Sequence, residues 1–249
     1  MPATFFVVPQ WQGSGSSRAM RLVDGAEAIR GDLPSSATVE VAVPAEAGSS
    51  EGTDVLRLSS IVAVRDALTT ALTGRTGLPV VIGGDCGVEL GAIAHAIAGG
   101  DTAVLWLDAH PDLNSPETST TGAFHGMVVR TLLGDGPAAL VPAHPLSPGM
   151  LVLAGTRASD DAESEYIASS GIRVIPPGEV TAGSIGDALL ATGAASVYVH
   201  VDLDVLDPAD IDGIGFPEPR SRPCRSRAPA SPSSPRPSPR RRAMIWAAF

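Results

Sequence analysis

Two short acidic stretches carry the densest chemistry: Leu107-Asp108-Ala109-His110-Pro111-Asp112 and His200-Val201-Asp202-Leu203-Asp204. Each closes an apolar run. Side chains alternate faces along a strand, so spacing by two predicts Asp108, His110 and, while the strand persists, Asp112 on one face. The same rule sets Asp202 beside Asp204, before Leu206-Asp207-Pro208 marks a turn. Carboxylates on apolar strands are costly unless paired, hydrogen-bonded or bound to metal. One such stretch also reads as a solvated polar strand end. Two of them, with four Asp and a His, imply cations between them, and four carboxylates suit two ions that share bridging oxygens. Oxygen and nitrogen donors suit Mn²⁺ or Zn²⁺ better than Ca²⁺.

A third piece, Gly83-Gly84-Asp85-Cys86, reads as a tight turn from strand to helix. Glycines there let the backbone approach a site closely. Many α/β turns share this pattern, but Cys86 would point from a strand end toward the same rim.

The elements that must position these residues alternate. Apolar, β-branched runs at 5–8, 39–43, 79–82, 103–107, 151–153, 173–175 and 197–201 predict buried strands. Helical spacing marks 55–72, with Thr53 or Asp54 as its cap and Gly74 as its close, and more weakly 87–98, 127–133, 160–168 and 185–191. Strand and helix alternating in this way imply an α/β fold, a mostly parallel sheet covered by helices on both faces. Ligands in such folds sit beyond the carboxyl ends of the strands.

The 249 residues are 44% hydrophobic and 18% charged, enough apolar material for a sizeable core. No apolar run approaches the ~20 residues that span a bilayer, and Met1-Pro2-Ala3-Thr4 lacks the basic start of a signal peptide. A cytoplasmic protein without a membrane partner is expected. Two cysteines, Cys86 and Cys224, make no disulfide framework.

All 17 basic residues are Arg, and eight of them crowd between 220 and 242 with no acid among them. The formal net charge of −10 therefore averages an acidic body, 1–218, and a basic tail, 219–249. The tail is Arg, Pro, Ser and Ala without apolar period, and disorder is expected. It lacks interleaved aromatics except near its end, so no nucleic-acid partner is expected. Its composition is what a GC-rich coding sequence yields in a shifted frame, and the body stops in mid-pattern at 215–219.

Taken in order, Gly83–Cys86, Asp108–Asp112 and Asp202–Pro208 resemble the ureohydrolase family of arginases, agmatinases and their relatives. That family carries a Gly-Gly-Asp-His turn, an Asp-Ala-His-x-Asp strand end and a later Asp-x-Asp-x-x-Asp-Pro. The resemblance spans roughly residues 3–218 and implies the three-layer α/β/α arginase fold, two Mn²⁺ ions, a guanidino substrate and a homo-oligomer. It implies that Asp108 and Asp202 bridge the metals, that His110 and Asp204 hold one, and that Asp112 with Cys86 holds the other. The loop 112–126 looks like the arginase loop. It assigns Asn114 and Thr121 to the α-carboxylate of L-arginine, His125 to proton shuttling and Asp160 to the α-amino group. Hydrolysis of L-arginine to L-ornithine and urea is the leading expectation. Agmatinase or guanidino-acid hydrolase activity, or a non-catalytic metal-binding relative, are the alternatives.

The pattern breaks in four places. Cys86 stands where the family has histidine, a soft donor for a hard ion. His200 replaces a small hydroxyl residue, about 6.6 Å before Asp202 on the same strand face. It reads either as compensation for Cys86 or as a core histidine satisfied by a backbone carbonyl. Phe216 replaces a polar residue that lines the site. Finally, the family continues with an interior strand and a substrate-holding glutamate where this chain turns to Arg and Pro, so a gap in the sheet is expected. His95 and His144 read as structural or surface residues.

Overall fold

A computed structural model describes residues 2–211, 213–214, 216–219 and 242–245. Seven strands arise where the β-branched runs lie: β1 (Ala3–Val7), β2 (Thr38–Glu40), β3 (Leu78–Ile82), β4 (Thr102–Leu107), β5 (Leu151–Ala154), β6 (Arg173–Ile175) and β7 (Ser196–Val201). An eighth, β8 (Arg242–Ile245), falls inside the tail. Every pairing is parallel, in a three-stranded sheet β2-β1-β3 and a five-stranded sheet β6-β5-β4-β7-β8.

The helices are α1 (Arg21–Asp32), α2 (Leu58–Leu72), α3 (Glu89–Ile97), α4 (Val128–Leu132), α5 (Asp161–Ser170) and α6 (Ala182–Thr192). Ile61, Val64, Leu68 and Leu72 form the buried stripe of α2, at helical spacing. Each such side chain contributes about 1.5–3 kcal/mol of transfer free energy. This stripe packs with Leu90 and Ile93 of α3 and with Val104, Trp106 and Tyr198 from one sheet face. The opposite face, Leu105, Val152, Ala154, Ile175 and Val197, packs on Ile185, Ala188 and Leu189 of α6. Helices on both sides of parallel strands make a three-layer α/β/α fold.

Several boundaries differ from the sequence expectation. Helix α2 starts at Leu58, behind a left-handed Arg57 (φ 56°), and neither Thr53 nor Asp54 caps it. Thr53 instead accepts the Val55 N–H in a turn of its own. The run at 39–43 pairs only as far as Glu40. Helix α1 escapes periodicity because Ala26 is its only buried residue.

The tail also differs. Residues 242–245 pair with β7, from Ser196↔Arg242 to Val199↔Ile245, and lie next to β3. A strand therefore stands where a gap and disorder were expected. Residues 220–241 and 246–249, the rest of the expected disordered tail, lie outside the described residues.

Candidate metal centre

Three strand ends converge at one rim. β3 runs into the glycine turn, where a Cβ on Gly84 would fall 1.6 Å from the Gln10 carbonyl oxygen. Only glycine admits that approach. Asp85 is saturated: its oxygens accept from Gly87 N (2.8 Å), Gly13 N (2.9 Å) and Gln10 Nε2 (2.9 Å). It organises the turn and delivers Cys86, whose buried Sγ lies 3.4 Å from Asp202 Oδ2.

β4 ends at Leu107, so strand alternation stops before the motif does. Asp108 Oδ1 accepts the His110 N–H at 2.6 Å and its Oδ2 accepts the Trp106 indole N–H at 3.0 Å. Asp112 reaches the rim through a left-handed backbone (φ 50°), not along a strand face. Its Oδ2 is buried without a hydrogen-bond partner.

β7 likewise ends at Val201, and Asp202 opens a 3-10 turn over Leu203–Val205. Its Oδ1 accepts the Asp204 N–H at 2.8 Å. The turn, and not strand spacing, swings Asp204 across to β4. There its Oδ1 accepts the Ala109 N–H (3.0 Å) and its Oδ2 lies 2.8 Å from His110 Nδ1.

The donors fall into two overlapping groups with ligand atoms within 4.8 Å of one another: Asp108, His110 and Asp204; and Cys86, Asp108, His200 and Asp202. Asp112 lies close enough to both Cys86 and Asp108 to interact with their charges.

Crowding shapes the electrostatics. Burial, then Asp108 and Asp204, push Asp202 up to about 8. Burial and the Asp108 charge drive Asp112 well above the carboxylate range, and burial also raises Asp204. For Asp108 burial acts the same way, but the imidazoles of His110 and His200 outweigh it and hold the group low. Burial would lower both histidines. Asp108 and Asp204 nevertheless bring His110 to about 11, and Glu89 with Asp108 brings His200 to about 10. Buried acids that repel one another, with unpartnered Asp112 Oδ2 and His200 Nε2 aimed among them, fit a pair of divalent cations.

A cavity of about 550 Å³ opens over this cluster and is lined also by Asn114, Thr121 and His125. Asn114 Nδ2 donates to Asp160 Oδ2 at 2.9 Å, and its Oδ1 accepts from Thr118 Oγ1 at 2.7 Å. The exposed Thr121 accepts the Ala123 N–H at 3.2 Å. His125 donates its backbone N–H to Gly13 O (3.0 Å) and stacks on Phe216 at 5.2 Å between ring centroids. Burial lowers its pKa, the Asp85 charge opposing. Asp160 caps α5 in a reciprocal box with Glu163.

His200 is not satisfied by a backbone carbonyl. Its Nδ1 lies 2.9 Å from Glu89 Oε1, and the other Glu89 oxygen accepts the Tyr198 hydroxyl. Sequence reading missed Glu89, Tyr198 and Trp106; the one available signal was a lone acid opening a helix apolar but for His95. It also missed Arg157, whose guanidinium donates to the carbonyls of Gly155, Asp204, Val205, Leu206 and Glu218. No helix among the described residues is long and apolar enough to cross a membrane.

Known proteins match this arrangement. The model of the arginase family matches residues 19–221. Nω-hydroxy-L-arginine amidinohydrolase of Streptomyces lavendulae is 34% identical over 207 residues, covering 81% of this chain and 70% of that protein. Arginase of Bacillus caldovelox is 30% identical over 220 residues, 82% of this chain and 73% of that one. The solved structure of Entamoeba histolytica arginase with L-ornithine superposes with a TM-score of 0.74 at 25% identity, covering 87% of this chain and 80% of that chain. The chain belongs to the arginase family of metal-dependent ureohydrolases, which act on the C–N bonds of linear amidines.

Proposed function

We propose that this chain hydrolyses a guanidino amino acid to urea and an amine, L-arginine to L-ornithine first, with two Mn²⁺ ions between the ends of β4 and β7. The observation that carries this reading is the gathering of four buried carboxylates and His110 at the floor of one cavity. Asp108 and Asp202 would bridge the ions. His110 and Asp204 would complete one position, Cys86 and Asp112 the other. When bound, such a pair makes water nucleophilic at neutral pH.

The remaining steps belong to the chain's own side chains. Asn114, fixed at both ends by Asp160 and Thr118, and Thr121 receive the α-carboxylate, while Asp160 faces the α-amino group. Burial favours the neutral form of His125. A neutral imidazole takes a proton from the attacking water and hands it to the departing nitrogen as the C–N bond breaks.

A second reading, hydrolysis of Nω-hydroxy-L-arginine, is favoured by the relative of that name at 34% identity. Release of the amine product by the full chain with added Mn²⁺ tests both, because the co-product is urea from L-arginine but hydroxyurea from its hydroxylated form. L-Arginine or its hydroxylated form should turn over, and agmatine, which lacks the α-carboxylate, should be slower by about tenfold or more, the worth of one lost charged contact. Equal turnover of agmatine would overturn the carboxylate assignment. Absence of turnover from a metal-loaded chain would overturn the hydrolase reading.

A further inference from the structure

We infer that His200 Nε2 is a protein donor to the cation position beside Cys86. That position then presents sulfur, nitrogen and the oxygens of Asp108 and Asp202, with His200 in the place given above to Asp112, and selects Zn²⁺ or Co²⁺ over Mn²⁺. This rests on the metal-centre reading above and changes the identity of one of its ions.

The geometry begins with the sheet. Trp106 and His200 are register partners on β4 and β7. Asp108 and Asp202 stand two residues further along the chain, just past the ends of those strands. Trp106 and His200 therefore form the layer directly beneath the two carboxylates. Their rings stack with centroids 3.6 Å apart at 19°, which fixes the imidazole plane.

Glu89 reaches in from α3 and fixes the rotation within that plane. It engages His200 Nδ1 at 2.9 Å and is itself held by the Tyr198 hydroxyl. A carboxylate on one ring nitrogen sets the tautomer and turns the other nitrogen's lone pair outward, as at many histidine–metal sites. Here that other nitrogen, Nε2, is fully buried, has no hydrogen-bond partner and points into the Cys86, Asp108 and Asp202 cluster.

The spacings suit a small tetrahedral ion. With ordinary zinc bond lengths, a tetrahedron has a sulfur–oxygen edge of about 3.6 Å and a nitrogen–oxygen edge of about 3.4 Å. Cys86 Sγ to Asp202 Oδ2 is 3.4 Å, and His200 Nε2 to Asp108 Oδ2 is 3.7 Å. Thiolate and imidazole favour Zn²⁺ and Co²⁺, whereas Mn²⁺ prefers oxygen. Cysteine at 86 and histidine at 200 thus form one matched change of donor set. The competing account is a purely ionic one, in which a protonated Nε2 faces Asp108 and no metal is involved.

Co²⁺ titration of the purified full chain, followed by absorption, separates the two. The wild type should show a thiolate-to-cobalt charge-transfer band with intense visible bands of a four-coordinate ion. Cys86→Ser should lose the charge-transfer band. His200→Gln should keep that band, change the visible envelope and weaken Co²⁺ binding by about ten- to a hundredfold, as loss of a supporting or ligating group does at such sites. Binding and visible bands unchanged in a folded His200→Gln would overturn the inference while leaving the metal centre intact. If that variant does not fold, X-ray absorption of the zinc-loaded wild type decides instead. Two imidazoles across the two ions support the inference, and one overturns it. A wild type that binds no ion overturns the metal-centre reading and this one together.

Discussion

Arg157 Nη2 donates to the backbone carbonyl of Asp204 at 2.6 Å, tying the segment after β5 to the turn that carries a rim carboxylate. The same guanidinium reaches Leu206 O at 3.0 Å and Glu218 O at 2.8 Å. Arg157→Ala leaves those carbonyls without their donor. Each charge-assisted bond contributes about 1.5–3 kcal/mol, though neighbouring bonds do not add. A loss of about 2–4 kcal/mol in urea unfolding is expected, together with weaker metal binding. Arg157→Lys, a point charge in place of a five-donor fork, should recover less than half of it.

Cation binding should stabilise the fold, because it relieves repulsion among buried acids. At a hundredfold excess over Kd the gain is about 2.7 kcal/mol, and a chain of this size should melt about 5–10 °C higher. Asp202→Asn should abolish that shift. It should also raise the melting temperature of the metal-free protein, which differential scanning calorimetry reads directly.

The pH dependence of the metal-free protein has a definite sign. Asp202 keeps its proton to about 8 when folded and releases it near 3.8 when unfolded, so stability falls as pH rises between those values. His110 and His200, raised to about 11 and about 10, add a decline that begins near 6.5 and ends as pH passes their folded values. Metal-free melting temperature should therefore drop steadily from pH 5 to pH 9. Asp202→Asn should make the lower half of that curve shallower without flattening it, because the raised Asp112 and Asp204 contribute a decline of the same sign.

Gly84→Ala tests the turn that delivers Cys86. A methyl placed 1.6 Å from the Gln10 carbonyl forces β1 and β3 exits apart. The cost should reach about 3 kcal/mol, the upper range for overpacking, with the Cys86 thiol becoming reactive to a thiol probe.

Asp160→Ala removes the cap of α5 and the anchor of Asn114 in one change. Cap loss costs about 1 kcal/mol. Asp160→Ser retains a capping oxygen and should restore stability, yet its shorter side chain leaves Asn114 held by Thr118 alone and KM raised.

Legibility followed burial. The buried strands β4 and β5 announce themselves as apolar runs, the partly exposed β2 and β6 were readable from Val and Ile alone, and the apolar stripe of α2 was equally plain. Helix α1 was not, because a helix with a single buried residue carries no stripe. At the site, the identity of the acids was plain from spacing, but their route was not. Asp112 depends on a left-handed residue and Asp204 on a 3-10 turn, neither of which period two encodes. Glu89, Tyr198 and Arg157 act on partners tens of residues away, which no local pattern expresses. The strand at Arg242–Ile245 was invisible for a related reason: its basic, proline-rich surroundings carry no apolar signal.

Cys86 follows a strand of the three-stranded sheet, whereas Asp108 and Asp202 follow strands of the five-stranded one. Any ion they share is a rivet across the seam between the two halves of the molecule. Stripping it should loosen that seam first, so amide exchange would quicken at the ends of β3 and β7 before the distal strand β6 responds.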